Sequence, residues 1–515
     1  MTESPRPEES RPRLVVVGSG MAATRLVEEL VLRGAHTTHR ITVLGDEPVA
    51  PYNRILLSAV LEGTHRPEAL TLRSTEWYDD HGITLHLDAR VLGVDPARRD
   101  VMLVDGTLVD YDTLVLATGS IPALPPIRGL VRMDGSLHPA VHAFRSLAEC
   151  ERLLGAIAET DPDGRPVNRR AVVVGGGLLG LQVARALGTR GLDTEIVEGA
   201  DHLLHRQIDT AAGRIIARDL KRLGVAVYTG ARAVRLNDAP SSPVQSPVGA
   251  VKVVDPLPSN PGRVALRLDN GFTLDADLVV LTAGGRPSTA LARGAGLEVR
   301  RGIVVDDRLT TSDPHIHAIG DCVQHDGRVT GFVPPAWEQA GVLAEVLVGE
   351  PAKYDGSRLV ARLRATDLDV AVLGDAAAEI EAGGEVVEVS NPIAGSHRRL
   401  VVREGRIVAA TLVGDLARVG LITQHFDRGT VLGPAEPGNL LMPERTVSAG
   451  SAARALPDDA EVCACAGVSA GRIRACSSLE EVRDTTRATT GCGGCASTVR
   501  DLLGDQALVS TAKGN

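Results

Sequence analysis

The feature that most constrains the fold is a pattern that occurs twice: an apolar strand, a glycine-rich turn and a helical stretch. In the first copy, residues 13–17 read R-L-V-V-V and lead into G-S-G-M-A-A at residues 18–23. In the second, residues 170–174 read R-A-V-V-V and lead into a G-G-G-L-L-G turn at 175–180 and a predicted helix over 181–190. Such a unit opens a parallel βαβ fold whose helix N-terminus binds a pyrophosphate. The sequence therefore predicts an α/β protein with two Rossmann-like dinucleotide-binding domains.

Each copy is followed by a strand that ends in an acidic residue. The first such strand begins at Arg40 and leads to Asp46 and Glu47, and the second ends at Glu198. A carboxylate at this position binds the ribose hydroxyls of a dinucleotide. At Glu198 it would repel the additional phosphate of NADPH, although Arg206 lies nearby in the sequence. We therefore expect NADH as cofactor, with NADPH less favoured.

Further motifs at predicted strand ends follow in a fixed order. A-T-G-S occupies residues 117–120, and A-I-G-D at residues 318–321 ends a predicted strand in the carboxylate of Asp321, a candidate for binding ribityl hydroxyls. A helix is predicted from Pro334 to Leu347, and its N-terminal end would stabilise negative charge on a reduced flavin. Trp337 in this helix is either a contact of the flavin or nicotinamide or a packing residue.

This order of motifs resembles the pyridine nucleotide-disulfide oxidoreductase superfamily, flavoprotein reductases in which an NAD domain is inserted within an FAD domain. The resemblance covers residues 13–350. It implies hydride transfer from the nicotinamide to FAD, which needs positioning and no acid–base residue. The expected FAD contacts are Gly18, Gly20, Ala23, Glu47, Arg54, Thr118, Gly119 and Asp321, and the expected NAD contacts are Gly175, Gly177, Gly180 and Glu198.

Within this group, the segment P-Y-N-R-I-L-L-S at residues 51–58 is similar to the flavin-contacting segment of rubredoxin and ferredoxin reductases. Ferredoxin reductases usually have Lys at the next position, where this chain has Ala59. That departure favours the N-terminal half of the NADH-dependent nitrite reductase large subunits, which G-G-G-L-L-G-L at residues 175–181 and Q-I-D at 207–209 also resemble. Those proteins usually have Glu near the nicotinamide where this chain has Gln182.

Cysteines are concentrated near the end of the sequence. Two tight pairs occur there, Cys463 with Cys465 and Cys492 with Cys495, the second flanked by glycines. Four thiolates on short loops suit a [2Fe-2S] cluster, and a structural zinc site is the alternative. The segment resembles the bacterioferritin-associated-ferredoxin (BFD) type of [2Fe-2S] domain, with short helices expected at 469–476 and 478–486. We interpret Cys150, Cys322 and Cys476 as packing residues.

The remaining patterns divide the chain further. A Pro- and Ser-rich stretch at residues 238–262 predicts a surface insertion, alternating strands at 399–403 and 406–413 predict a small α+β domain, and 448–456 is a linker candidate. The expected domains are the first part of the FAD-binding domain at 1–122, the NAD(P)-binding domain at 123–282, the second part of the FAD-binding domain at 283–350, the α+β domain at 352–445 and the helical [2Fe-2S] domain at 457–507.

Charge and hydropathy exclude some classes of partner. The formal net charge is -10 and the Arg residues are scattered, which argues against nucleic-acid binding. The sequence has no apolar run of about 18 residues, the length that would span a membrane, and its polar start is unlike a signal peptide. We expect a cytoplasmic protein with no membrane or nucleic-acid partner.

These features predict an NADH-dependent reductase that passes electrons through FAD and the cluster to a separate terminal reductase. An assimilatory nitrate reductase is the first expectation and nitrite reductase the second, because the sequence ends at Asn515 without a sirohaem-binding half. One alternative is a stand-alone rubredoxin or ferredoxin reductase that serves a small electron carrier. The other is a redox or iron-responsive binding protein without steady turnover.

Overall fold

The structure is a computed structural model and describes residues 11–238, 263–357, 360–365, 368–416, 418–442, 456–463, 467–489 and 495–511. Its helices in these ranges are α1 Met21–Leu32, α2 Ala35–Thr38, α3 Leu57–Glu62, α4 Thr75–Asp80, α5 Leu147–Ala158, α6 Leu178–Thr189, α7 Thr210–Arg222, α8 Ala290–Gly294, α9 Val333–Leu347, α10 Ala376–Glu381, α11 Val419–Arg428, α12 Glu436–Leu441, α13 Ala470–Arg474, α14 Leu479–Thr486 and α15 Ala496–Thr511.

The strands in the same ranges form several separate sheets. They are β1 Arg13–Val17, β2 Arg40–Leu44, β3 Thr84–His86, β4 Val91–Asp95, β5 Asp100–Leu103, β6 Leu108–Asp110, β7 Thr113–Leu116, β8 Ser120–Pro122, β9 Val141–Ala143, β10 Arg170–Val174, β11 Asp193–Glu198, β12 Ala226–Thr229, β13 Ala233–Asp238, β14 Val264–Leu268, β15 Thr273–Ala276, β16 Leu278–Leu281, β17 Gly285–Pro287, β18 Ile303–Val305, β19 Ile316–Ala318, β20 Val323–His325, β21 Val360–Ala365, β22 Leu368–Leu373, β23 Glu385–Asn391, β24 Ser396–Arg403, β25 Arg406–Val413, β26 Glu461–Cys463 and β27 Val468–Ser469.

The first parallel sheet has the spatial order β19-β7-β1-β2-β3, with β1 at its centre. The apolar residues of β1 are buried, as expected for a strand covered on both faces. Helices α1 and α9 pack together beside this sheet, and Arg33, directly after α1, pairs with Glu345 of α9 at 2.9 Å. The strand predicted at residues 13–17 and the helix predicted to end at Leu347 are confirmed.

A second parallel sheet repeats this arrangement, with the order β12-β11-β10-β16-β9 and β10 at its centre. All of its strands lie between β7 and β19 in the sequence. The chain therefore leaves the first sheet after β7, builds the second sheet, and returns to the first at β19. Strands β8 and β17 pair antiparallel where the chain leaves and returns. The predicted insertion of one Rossmann-like fold within another is confirmed.

The predicted start of the second fingerprint helix is wrong by three residues. Helix α6 begins at Leu178 directly after Gly177, so Gly180 lies inside the helix and not in the turn. Likewise Ala23 lies inside α1, which begins at Met21. The reason is that the first glycine alone reverses the chain: Gly175 has a φ of 117°, a left-handed conformation that only glycine adopts readily.

The small α+β domain is built on an antiparallel sheet with the order β21-β22-β25-β24-β23. Strands β24 and β25 form a hairpin that contains both strands predicted there. Strands β13 and β14 also pair antiparallel, but most of the insertion predicted at 238–262 lies outside the described residues, as does nearly all of the linker candidate at 448–456.

Asp209 joins the α+β domain to the second Rossmann-like fold. Its Oδ1 caps α7 by accepting N–H groups of Ala211 and Ala212 at 2.9 and 3.0 Å. Its Oδ2 contacts Nε2 of His397 at 2.9 Å and accepts a hydrogen bond from Arg399 at 3.3 Å. Burial opposes ionisation, but these partners outweigh it and hold the pKa of the Asp209 carboxyl far below its usual range. The carboxylate therefore ties a helix start to a neighbouring sheet.

The C-terminal module has a small core of its own. Helices α13 and α14 confirm the two short helices expected there. The core brings together Cys463, Val468, Ile473, Val482 and Cys495, all buried. Among the described residues of the chain, no helix is both long and apolar enough to cross a bilayer.

The three cysteines interpreted as packing residues are buried, as predicted. The Sγ atoms of Cys322 and Cys476 lie near backbone carbonyls, and that of Cys150 lies 3.7 Å from the carbonyl of Leu57. Burial raises the pKa of Cys150 and of Cys322 to about 11. Both thiols therefore stay protonated at neutral pH and are poor nucleophiles.

His142 makes the stability of the second sheet depend on pH. It lies in β9, is 7% exposed, and its Nε2 has no hydrogen-bond partner among the described residues. Burial, with Arg152 nearby, lowers its pKa to about 4. The unfolded chain binds this proton near pH 6.5, so the free energy of unfolding falls as the pH drops from about 6.5 to 4, by at most ~3 kcal/mol.

We expect His142→Asn to flatten this part of the pH profile, because asparagine carries no titrating group. Thermal unfolding between pH 4 and 7.5 measures it. His86→Gln, at an exposed position, is the control and should keep the wild-type profile. An unchanged slope in His142→Asn would show that other groups cause the acid sensitivity.

Candidate functional site

The glycines of the first fingerprint have different surroundings. A Cβ on Gly18 would lie 2.4 Å from the carbonyl oxygen of Ala117, so this position must stay glycine for the turn to pack on the end of β7. A Cβ on Gly20 would meet nothing within 4 Å. The face of the turn at Gly20 is therefore open to a ligand, as pyrophosphate binding requires. A narrow cleft adjoins this face, lined by Ser19, Gly20, Glu47, Val49, Pro51, Tyr52 and Arg54.

Glu47 and Arg54, both predicted FAD contacts, form an ion pair in this cleft. Glu47 also accepts a hydrogen bond from the hydroxyl of Tyr52 at 2.8 Å, and that hydroxyl accepts one from the N–H of Leu147 at 2.9 Å. Burial raises the pKa of Tyr52 well above its ordinary value, which keeps the hydroxyl protonated as a donor. Tyr52 was absent from the predicted contacts, although it stands in the P-Y-N-R segment that carried the resemblance.

Asp321 lies at the junction of the two Rossmann-like folds. The strand expected to end at this carboxylate ends earlier, at Ala318, and Asp321 sits in a 3-10 turn at Gly320–Cys322. Its Oδ2 accepts hydrogen bonds from Ser120 and Arg145, each at 2.8 Å. Arg145 follows β9 of the second sheet and has no recognisable motif around it. Sequence reasoning missed it for that reason.

The A-T-G-S turn contacts the point where the chain returns to the first sheet. The hydroxyl of Thr118 donates to the carbonyl of Ser288 at 2.8 Å, and Gly119 has a φ of 65°. In this structure Thr118 therefore fixes the segment in which the chain passes from the second fold back to the first. Its direct contact with FAD, like that of Gly119, stays a prediction.

Helix α9 begins beside the Asp321 turn. Gln339 of this helix accepts the N–H of Gly320 at 2.8 Å, which fixes the helix to the A-I-G-D motif. Trp337 is 6% exposed, and its Nε1 has no acceptor among the described residues. This donor remains open to a bound group, and packing accounts for the rest of the side chain.

In the second fingerprint, too, one glycine allows a close backbone contact and another leaves space for a ligand. A Cβ on Gly180 would lie 1.9 Å from the carbonyl oxygen of Gly175, whereas one on Gly177 would meet nothing within 4 Å. Glu198 ends β11, and its carboxylate accepts the N–H groups of Gly176 at 2.7 Å and Ala200 at 2.9 Å. The structure thus brings Glu198 against the glycine-rich turn, where the predicted ribose site lies.

Two of the four predicted cluster ligands lie in one core. Cys463 ends β26, and Cys495 precedes α15. The N–H of Thr489 donates to Sγ of Cys495 at 3.2 Å, the kind of bond that stabilises a thiolate and tunes a cluster potential. Cys465 and Cys492 lie outside the described residues. The described half of the ligand set therefore fits a thiolate-bound metal centre.

Comparison with known families decides the assignment. Residues 12–340 match the family model described as pyridine nucleotide-disulphide oxidoreductase. The chain belongs to this family. Residues 461–505 match the model of the BFD-like [2Fe-2S] binding domain, which favours the iron–sulfur cluster over the zinc alternative. The chain is thus an FAD- and NAD(P)H-dependent oxidoreductase that also has a [2Fe-2S] domain.

Individual relatives agree with this family assignment. The chain is 33% identical over 96% of its length to a nitrite reductase [NAD(P)H] of Bacillus subtilis (strain 168), and 31% identical over 96% to the assimilatory nitrate reductase electron transfer subunit of the same organism. It spans only 57% and 59% of those relatives. A solved putidaredoxin reductase in covalent complex with putidaredoxin is 26% identical, with a TM-score of 0.69 over 83% of this chain and 95% of that one.

Two positions depart from the family pattern that the sequence resembles. Ala59 lies in α3 and Gln182 in α6, and these two helices pack together. Arg185 of α6 binds Glu62 of α3 through two hydrogen bonds of 2.7 and 2.8 Å. An arginine–carboxylate contact therefore joins α3 and α6 one helical turn after Ala59 and Gln182. The role of Gln182 near the nicotinamide stays a prediction.

Proposed function

We propose that this chain oxidises NADH and passes the electrons through FAD and the [2Fe-2S] cluster to a separate terminal reductase. FAD when bound takes up a hydride as two electrons and releases them singly, which suits a one-electron cluster. The observation that carries the proposal is that Cys463 and Cys495 share a buried core in a module packed on the flavin-binding fold. No acid–base residue is needed, because the chain's task is to orient the nicotinamide against the flavin.

The proposed binding residues follow the geometry of the two turns. Gly20 and Gly177 present open faces for the two pyrophosphates, and Gly18, Gly175 and Gly180 allow the close backbone approaches that shape the turns. Glu47 and Arg54 line the narrow cleft beside Gly20. We assign the first turn to FAD and the second to NADH.

NADH is the proposed electron donor because Glu198 lies against the second turn. Its carboxylate is held by two backbone N–H groups, so it stays at the ribose site as a fixed negative charge. A ribose phosphate at this position would meet that charge, whereas ribose hydroxyls would donate to it. A higher kcat/KM with NADH than with NADPH is the corresponding measurement.

An assimilatory nitrate reductase is the proposed acceptor, and a nitrite reductase is the second choice. The support is the similarity over 96% of the chain to relatives whose names state these functions. We further propose the domain boundaries given above and a cytoplasmic location, which fits a chain whose paired cysteines serve a metal centre.

Reconstitution tests the proposed function. Purified protein with FAD and cluster bound is mixed with NADH, a molybdenum-dependent nitrate reductase and nitrate, and nitrite formation is measured. We expect nitrite only when NADH and both proteins are present. NADH oxidation that yields neither nitrite from nitrate with a nitrate reductase nor ammonium from nitrite with a nitrite reductase would contradict the assignment.

A reductase of small electron carriers is the second candidate. Its support is the likeness to putidaredoxin reductase over 83% of this chain. Faster reduction of rubredoxin or a [2Fe-2S] ferredoxin than of the nitrate reductase, at equal acceptor concentration, would favour this candidate. Slow NADH oxidation with every acceptor, ferricyanide included, would instead favour a binding protein without turnover.

A further inference from the structure

A buried arginine of the module that holds Cys463 and Cys495 contacts the first Rossmann-like fold. Arg487 directly follows α14, and its guanidinium forms an ion pair with the carboxylate of Glu28 in α1. Their side chains are 8% and 5% exposed. A charge buried in this way is strongly unfavourable without its partner, so in the docked arrangement each of the two side chains requires the other. Removing one of them should therefore destabilise the docked arrangement, because the remaining charge would be buried and unpaired.

Neighbouring groups complete this contact. The guanidinium carbon of Arg487 lies 5.5 Å from the ring centroid of Trp337 in α9, within the range of a cation–π interaction. Arg73 donates to the other oxygen of Glu28 at 2.8 Å and to the carbonyl of Asp484 in the module at 3.5 Å. Glu28 thus accepts hydrogen bonds from one arginine of its own fold and from one arginine of the cluster module.

The backbone at Arg487 has a conformation that is costly for any residue with a Cβ. It ends α14 in the left-handed conformation, with a φ of 61° and ψ of 8°. Glycine is the favoured residue at this position of a helix end, because it has no Cβ. An arginine here is explained by what its side chain binds, since the turn itself would be easier to form with glycine.

Arg487 is also linked by contacts to elements of both proposed redox sites. Two residues further on, the N–H of Thr489 binds Sγ of Cys495. On the other side, Trp337 belongs to the helix that Gln339 attaches to the Gly320–Asp321 turn at the proposed flavin site. The contact therefore connects the loop of a cluster ligand with the helix beside the flavin motif.

We propose that Arg487 is a positioning residue that holds the cluster module docked on the FAD domain, so that flavin-to-cluster electron transfer occurs in this docked arrangement. Each hydride from NADH brings two electrons to FAD, and the cluster takes them one at a time. A one-electron acceptor reoxidises the cluster between the two transfers. The inference rests on this route within the chain and is independent of which terminal reductase follows.

The test uses the holoprotein and the variant Arg487→Gly. Glycine suits the left-handed helix end, so the variant removes the guanidinium while keeping the turn. After rapid mixing with NADH, we expect flavin bleaching at the wild-type rate and cluster bleaching about tenfold slower, which corresponds to ~1.4 kcal/mol. Both tryptophans of the chain, Trp77 and Trp337, lie beside the arginines of this contact, Arg73 and Arg487. When the module is no longer docked, water reaches these rings, so the tryptophan emission should shift to longer wavelength.

Two further variants make the result specific. Glu404→Gly replaces an exposed left-handed residue in the turn between β24 and β25, and should leave both bleaching rates unchanged. Glu28→Gln acts from the opposite side of the contact and should slow cluster bleaching as Arg487→Gly does, with no additive effect in the double variant.

Unchanged cluster bleaching and emission in Arg487→Gly would overturn the proposal. An effect of Arg487→Gly without any effect of Glu28→Gln would also overturn it, because the arginine would then act on the cluster locally. If Arg487→Gly lost its cluster, Glu28→Gln alone would decide, since it changes no residue of the module. None of these measurements involves a nitrate or nitrite reductase, so failure here is distinct from failure of the proposed function.

Discussion

Replacing Gly180 with alanine is expected to destabilise the NAD-binding fold by about 3 kcal/mol or more. The added Cβ would lie 1.9 Å from the carbonyl oxygen of Gly175 and 2.9 Å from Oγ1 of Thr282. The nearest atom belongs to the backbone of the fingerprint turn, so helix α6 and strand β10 must move apart. Both elements belong to the core of the second sheet, and that movement exposes apolar surface.

Helix propensity alone predicts that alanine would stabilise the protein, so this experiment distinguishes the steric effect from helix propensity. Gly180 lies inside α6, and alanine in a helix is favoured over glycine by up to ~1 kcal/mol. The steric cost exceeds that gain, so we expect a net loss of stability, measured by thermal unfolding together with NADH binding. A variant as stable as the wild type would show that the helix and strand are less closely packed than the structure indicates.

Gly177→Ala is the matched control at the same turn. Its Cβ would meet no protein atom within 4 Å, and its φ of -78° is open to any residue. As the residue that caps α6, it should cost at most about 1 kcal/mol of stability. Because the methyl group would point into the proposed pyrophosphate site, we expect NADH to bind at least about tenfold more weakly, or ~1.4 kcal/mol. Undiminished NADH binding would contradict that site.

Replacing Cys495 with alanine is expected to remove the [2Fe-2S] cluster and with it all electron transfer to protein acceptors. The change deletes a proposed thiolate ligand and the acceptor of the Thr489 N–H bond. Flavin reduction by NADH should persist, because the flavin and nicotinamide sites lie in the two Rossmann-like folds. The measurements are iron and sulfide content, the visible spectrum, and NADH oxidation with ferricyanide and with a protein acceptor.

Cys476→Ala is the control for this second experiment, since it removes the same atoms from the same small core. Cys476 is 5% exposed, and its Sγ lies 3.4 Å from the carbonyl of Arg472 and from the hydroxyl of Thr485. We expect this variant to keep its iron and its activity with protein acceptors. Loss of the cluster in both variants would indicate a collapse of the core and would contradict the assignment of Cys495 as a ligand.

The sequence by itself determined the elements whose signals are local. Strands β1 and β10 begin and end as predicted, because a short, valine-rich apolar run followed by a glycine turn is typical of a buried parallel strand. The order of fingerprints likewise predicted the insertion of one fold in the other. The start of α6 was missed, because three successive glycines do not show which of them reverses the chain.

Only the tertiary structure decided which side chains meet across the molecule. Arg145 binds Asp321 from 176 residues away, and Arg487 binds Glu28 from 459 residues away. No pattern in the sequence marks these arginines among the many others, because an ion pair depends on where two folded surfaces meet and leaves no periodic or local signature. Patterns along the chain thus specify the folds and indicate the proposed cluster thiols, whereas contacts between side chains of different folds arise only when the folds are packed together.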